Sequence, residues 1–283
     1  MTSPPTFDTL DLTLDGRLAT LTLDRPEHLN PLSTATLIEL TDAAQWLDRH
    51  SEADVVVVTG RGRAFSSGAD MAGFGDGGGG DGDDEAVERG AAGEGERPRA
   101  FETWRHGDWG RRMTDAVERM RQVTLAVIRG HCIGGGVVLA SACDMRIAAE
   151  DTNFLIPELP LGVPLTWGGV PRLMREIGPA MTRELVMTGR PFDGQEAKAI
   201  GFLNRAVPDA ELDAAAAEIV GRLLEMSTYT LEVSKHHMRA LAEDLIGVSA
   251  AVSDANSLVT ARGDTASRQV ARAYVERFRS KPR

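Results

Sequence analysis

Val123-Thr124-Leu125-Ala126-Val127-Ile128 runs directly into Arg129-Gly130-His131-Cys132-Ile133-Gly134-Gly135-Gly136 and then Val137-Val138-Leu139-Ala140-Ser141-Ala142. The first six residues, apolar except for Thr124, predict a strand buried on both faces. The glycines predict a tight turn, and the residues after them a helix near 136–142. Residues 145–148 read as the next strand. Buried strand, glycine turn, helix and strand place the chain in the α/β class.

Working outward, the same order appears earlier. Val55-Val56-Val57-Val58, closed by Thr59-Gly60, predicts another buried strand, and it too leads to a glycine-containing turn, Arg63-Ala64-Phe65-Ser66-Ser67-Gly68-Ala69-Asp70. Upstream, two period-two runs at 10–14 and 18–23 flank Asp15-Gly16, a hairpin signal. Ser33 is placed to cap a helix carrying Leu37, Leu40, Ala44 and Leu47 on one face. A helix is expected near 113–120.

Beyond Gly168 the pattern is helical. Asp193 with Glu196 forms a capping box, Gly201 marks a stop, and helices are expected near 211–225, 228–242 and 265–278. The expected organisation is a strand-and-helix core over 1–200 and a helical region over 201–283. Residues 73–99, rich in Gly, Asp and Glu, carry too few large apolar side chains to offset ordering entropy. They predict a mobile insertion, either a lid or a plain surface loop.

The formal charge of −11 argues against nucleic acid or an anionic membrane as partner, because both require a basic footprint. A small phosphorylated ligand needs only a local basic patch. No apolar run approaches the roughly 18 residues needed to cross a bilayer. Residues 1–8 lack the basic and apolar regions of a signal peptide, and two cysteines, Cys132 and Cys143, make no disulfide framework, so the cytoplasm is the expected compartment.

A glycine run opening a helix leaves N–H groups unpaired at the positive end of the macrodipole, a place for phosphate or a developing oxyanion. The turn at Gly130 lacks both the Lys-Ser/Thr ending of a phosphate loop and the spacing of a dinucleotide fingerprint. Tight turning alone is the competing explanation. A third segment, Phe154-Leu155-Ile156-Pro157-Glu158-Leu159-Pro160-Leu161-Gly162, carries one acid in apolar surroundings. If buried, Glu158 would have a raised pKa suited to proton transfer; the alternative is an exposed loop carboxylate. Ser66, Ser67 and Ser141 have no His and acid in an interpretable relation to them, and the histidines show no metal spacing.

These segments, in this order, resemble the enoyl-CoA hydratase/isomerase family, the crotonase superfamily. The resemblance begins at Asp24-Arg25-Pro26-Glu27-His28-Leu29-Asn30-Pro31-Leu32, runs through 64–70, 130–144 and 157–162, and ends over 185–207. It implies a β-spiral core of repeated strand-strand-helix units, a ββα superhelix, with a C-terminal helical region that assembles trimers or hexamers. It implies an acyl-coenzyme A thioester as substrate and no metal or redox cofactor. The backbone N–H groups of Ala69 and Gly135 would form an oxyanion hole, and Ser67, Gly68, Asp70 and Gly134 would bind substrate beside it. Glu158 would handle the C2 proton.

The family's hydratases carry a second glutamate two residues after the glycine triplet, where this chain has Val138. Valine moves no proton, so single-acid isomerase chemistry, a Δ3-to-Δ2 double-bond shift, is preferred over hydration. A non-catalytic acyl-CoA binder is the reading from another class. For coenzyme A, the resemblance points to Arg25, Arg61, Arg63, Phe278 and Lys281, each also consistent with solvated surface. Trp167 is expected either to floor the acyl pocket or to fill core.

Overall fold

The computed structural model describes residues 4–70 and 99–279. Most of the expected insertion at 73–99, as well as Lys281, lies outside the described residues.

The hairpin forms as expected: β1 (Leu10–Asp15) and β2 (Leu18–Leu23) pair antiparallel around Gly16, whose φ of 57° needs no Cβ. Ser33 caps α1 (Thr34–His50), accepting from the Thr36 N–H. Strands β3 (Val55–Gly60) and β4 (Val123–Ile128) flank α2 (Arg99–Arg119), which is longer than its apolar pattern announced. Three-residue β5 (His131–Ile133) leads to α3 (Gly135–Ser141), then β6 (Met145–Ala149) and β7 (Asn153–Leu155). Next come α4 (Gly169–Thr188), broken at Gly178-Pro179, then α5 (Gly194–Ala199), capped by Asp193, and β8 (Arg205–Val207). The chain continues through α6 (Leu212–Leu224), α7 (Thr228–Leu245), α8 (Asp254–Gly263) and α9 (Thr265–Arg279).

Among the described residues the main sheet runs β1-β2-β3-β4-β6-β8, parallel from β2 onward. The continuous apolar runs divide by strand parity. Val56, Val58, Ala126, Ile128 and Ala148 join the core under α1 and α3. Val55, Leu125, Val127, Ile147 and Ala149 pack on Leu212, Ile219 and Val220 of α6. The sheet is therefore covered on both faces, as the unbroken runs require.

A second, smaller layer crosses the ends of these strands. β5 pairs with β7, and bridges join Ser66 to Cys132, Leu32 to Ala69 and Phe154 to Phe192. Strand, short crossing segment and helix thus repeat along the chain, which is the expected spiral. The sheet continues past residue 200: β8 pairs with β6 as far as Val207, and α6 packs on its outer face. A three-residue edge strand is too short to announce itself by periodicity. Among the described residues no helix is long and apolar enough to cross a membrane.

Candidate active site

The crossing layer brings the two glycine turns together. The Ser66 N–H donates to the His131 carbonyl and the Ile133 N–H to the Ser66 carbonyl, each at 3.0 Å. On the other side, Leu32 donates to Gly68 at 2.8 Å and Asp70 donates to Leu32 at 3.2 Å. Since Ala69's neighbours make that pair of bonds, its own N–H points away from Leu32. The Gly135 N–H is at the first position of α3, where a helix has no internal acceptor. Neither N–H has an acceptor among the described residues. The turns approach closely: a Cβ placed on Gly68 would lie 3.5 Å from the Gly135 nitrogen and 2.7 Å from the Ile133 oxygen.

Asn30 holds the first turn in place. It is buried, donates to the carbonyls of Arg61 at 3.0 Å and Ala64 at 2.8 Å, and accepts from the Arg25 N–H at 2.9 Å. Its φ of 54° suits asparagine better than most residues. The sequence around Asn30 does not reveal this role, because a lone Asn amid turn residues gives no sign of which carbonyls it will reach.

Glu158 arrives from the other strand of the crossing layer. The Gly134 N–H donates to Leu155 at 2.8 Å, fixing the end of β7 three residues before the acid. A Cβ on Gly134 would lie 2.6 Å from Glu158 Oε1. The residue is half-buried as a whole, but its Oε2 is shut off from solvent and has no hydrogen-bond partner among the described residues. Burial pushes its pKa up to about 7, with its own backbone N–H opposing. The exposed-loop alternative is excluded.

Val138, where a second acid would stand, is buried, and a Cβ on Gly169 would meet its Cγ2 at 2.7 Å and Leu165 at 3.2 Å. Its surroundings are apolar. Trp167 lies against the Gly135 backbone: a Cβ there would meet the indole at 2.3 Å. A further group went unnoticed in the sequence. The carbonyl of Ser267, on α9, occupies the space a Cβ on Gly162 would need, at 2.1 Å, so α9 rests on the Glu158 turn. Seven residues along the same face, the Tyr274 phenol is half-buried, and burial and the Glu158 charge both raise its pKa.

The basic residues divide. Arg25 pairs with Asp70 at 3.3 Å, and Arg61 with Asp24 at 2.6 Å and Asp11 at 2.9 Å. Arg63 is exposed and has no ion pair among the described residues. Ser67 is tied to the motif by its N–H, which donates to Leu29 at 2.8 Å. Phe278 lies in the last turn of α9, with its side chain outside the described residues. A groove of about 480 Å³ between α1 and α2, lined by Asp48, Trp109 and Arg112 among others, does not include Glu158. Volume alone is therefore a poor guide to the chemistry here.

Residues 14–90 and 103–281 match the family profile described as enoyl-CoA hydratase/isomerase. The chain belongs to that family. Its enoyl-CoA hydratase/isomerase relatives include a probable enoyl-CoA hydratase of Mycobacterium tuberculosis, 32% identical over 81% of this chain and 80% of that protein. A peroxisomal Delta(3,5)-Delta(2,4)-dienoyl-CoA isomerase of Arabidopsis thaliana is also 32% identical, over 75% of this chain and 74% of its own. In fold, the chain is similar to an enoyl-CoA hydratase from Mycobacterium avium subsp. paratuberculosis, with TM-score 0.80 at 21% identity over 96% and 97% of the two chains. A monofunctional enoyl-CoA isomerase from M. smegmatis has TM-score 0.64 at 27% identity, over 83% of this chain and 94% of that one. Hydratase and isomerase names thus both occur among relatives 32% identical to this chain.

Proposed function

We propose that this family member is a single-acid Δ3-Δ2 enoyl-CoA isomerase. The N–H groups of Ala69 and Gly135 would receive the thioester oxygen, with Ser67, Gly68, Asp70 and Gly134 lining the substrate beside them. Glu158, as carboxylate, takes a C2 proton from a 3-enoyl-CoA. The C–H electron pair delocalises into the thioester and the C3–C4 double bond, giving a dienolate. The protonated Glu158 returns the proton at C4, the double bond comes to lie between C2 and C3, and the carboxylate is regenerated. One group both takes and gives, so the balance closes without water, metal or redox cofactor; coenzyme A enters as part of the substrate.

The observation that carries this reading is Glu158 itself. An acid with a pKa near 7, packed against the glycine turn that carries an unpaired helix-opening N–H, is matched to removing and restoring a proton near neutral pH. Losing one oxyanion donor costs roughly 3–4 kcal/mol of barrier in systems where it has been measured. Val138 supports isomerisation over hydration, because an apolar enclosure offers nothing to activate water. The hydratase alternative draws support from relatives that carry that name. A non-catalytic binder has no use for a buried acid.

Arg63 is the best placed of the basic residues to meet coenzyme A, with Arg25, Arg61, Phe278 and Lys281 as further contacts. Tyr229, Met238, Leu241 and Leu245 leave an apolar row exposed along α7, which supports a homotrimer or homohexamer. The buried, free Cys132 and Cys143 accord with a reducing cytoplasm.

The test is to give purified protein crotonyl-CoA and 3-hexenoyl-CoA separately, with Glu158→Gln as the comparison. Double-bond migration without appreciable water addition, abolished in Glu158→Gln while ligand binding remains, is expected. Fast hydration of crotonyl-CoA would overturn the isomerase assignment. Unchanged turnover in Glu158→Gln would overturn the role of the acid.

A further inference from the structure

Trp167 has φ of 60°, a left-handed conformation that a bulky side chain rarely adopts. Groups from three helices hold it there. Thr114 on α2 donates to its carbonyl at 2.8 Å. Arg172 on α4 donates to the carbonyls of Trp167 and Gly168 at 3.3 and 3.2 Å. Asp254 on α8 accepts from the Gly168 N–H at 2.8 Å. Arg172 is itself buried and anchored by Asp115 at 2.9 Å and Glu118 at 2.5 Å. Backbone strain of this kind persists only where the surroundings over-determine it, and it gathers at functional sites.

What the strain accomplishes is visible in two glycines. A Cβ on Gly110 of α2 would meet the indole at 2.2 Å, and one on Gly135 of α3 at 2.3 Å. Neither helix leaves room for a methyl group, so the ring is wedged between them. Core filling accounts for this poorly. Phe65, Phe154 and Phe202 fill core in full burial, whereas Trp167 packs against the core but stays only partly buried despite two backbone contacts. Its ring lies on one face of Gly135 just as the Glu158 carboxylate lies on one face of Gly134, and those two residues are consecutive. An acyl chain whose thioester oxygen reaches the Gly135 N–H, and whose C2 reaches Glu158, has to leave past the indole.

We propose that Trp167, clamped by Thr114, Arg172 and Asp254, is the specificity-determining wall of the acyl pocket and restricts the substrate to short-chain acyl-CoA thioesters. The inference rests on the placement of the thioester proposed above. A rigid wall discriminates where a mobile one yields: in a tight pocket one methylene changes selectivity about tenfold or more.

Saturated esters test the wall apart from the chemistry, since they have no double bond to move. Binding of butyryl-CoA and decanoyl-CoA is measured calorimetrically on the wild type, Trp167→Gly and Trp167→Phe. Glycine adopts the positive φ without strain, so Trp167→Gly keeps the backbone path while removing the ring. Wild type should bind butyryl-CoA at least about tenfold tighter than decanoyl-CoA, and Trp167→Gly should lose or reverse that ratio. Trp167→Phe should fall between, and it serves alone if the glycine variant does not fold. Equal or tighter decanoyl-CoA binding by the wild type overturns the inference, as does an unchanged ratio in the folded variants. If the wild type binds neither ester, the acyl-CoA reading itself falls. If both bind with the expected ratio while Glu158→Gln leaves turnover intact, the wall stands and only the acid's role is lost.

Discussion

The Glu158 carboxylate lies against the backbone of Gly134, so closely that a Cβ there would meet Oε1 at 2.6 Å. Gly134 also has φ of 48° and ψ of −112°, a combination open to glycine. Acid and turn are therefore one unit: the conformation that frees the Gly135 N–H is the one that leaves room for the carboxylate.

Gly134→Ala should consequently damage catalysis more than folding. The methyl group must displace Glu158, and misplacing a reacting group by about 1 Å can cost 100-fold in rate. Positive φ at alanine adds about 1–3 kcal/mol of strain. Steady-state kinetics set beside a denaturation midpoint separates the effects; full activity in a folded Gly134→Ala protein would show that the carboxylate does not work from where it rests.

The acid also predicts two opposite pH dependences. Removing the C2 proton requires ionised Glu158, so kcat/KM should rise with pH through about 7 and level off above it. Stability should move the other way. With a folded pKa raised from 4.5 to about 7, the native state holds a proton that the unfolded chain has released. The contribution is complete below about 4.5 and is lost as pH climbs to 7, by up to about 3 kcal/mol. Glu158→Gln should remove this slope and be the more stable protein at pH 8, as urea titrations at several pH values would reveal.

Asn30→Ala should loosen the Ala69 turn. It deletes two donors and one acceptor in a buried setting and leaves the left-handed backbone without the residue type that tolerates it. At about 1 kcal/mol per hydrogen bond, with more for stranded carbonyls, the cost should be about 3–4 kcal/mol. Thermal unfolding reads this directly. Asn30→Asp, which keeps the acceptor but loses both donors, should recover only part of it.

If the apolar row on α7 is covered by other copies of the chain, Leu241→Asp with Leu245→Asp should lower the molar mass found by light scattering. The circular dichroism spectrum should be preserved, since both side chains are exposed within one chain, 65% and 82% respectively. An unchanged mass would place the contact elsewhere.

Local chemistry made much of this molecule legible from its sequence. Asp15-Gly16 announced the hairpin, Ser33 and Asp193 capped the helices they were expected to cap, and the unbroken β-branched runs became strands buried on both faces. Each of these depends on neighbours within a few residues. The order of the motifs was equally local information, and it sufficed to recognise the family and to single out the two N–H groups and Glu158 as candidates. Tertiary structure decided the rest. The three-residue strands β5, β7 and β8 exist because distant segments pair with them, not through any period of their own. Arg25 and Arg61, candidates for coenzyme A, turn out to have carboxylate partners in the fold. Tyr274 comes to feel the Glu158 charge only because α9 returns to the turn at Gly162, and Trp167 becomes a wedge only because two glycines from different helices face each other across it. Burial and contact between residues far apart in the chain carry no local signature, so these relationships appear only once the chain has folded.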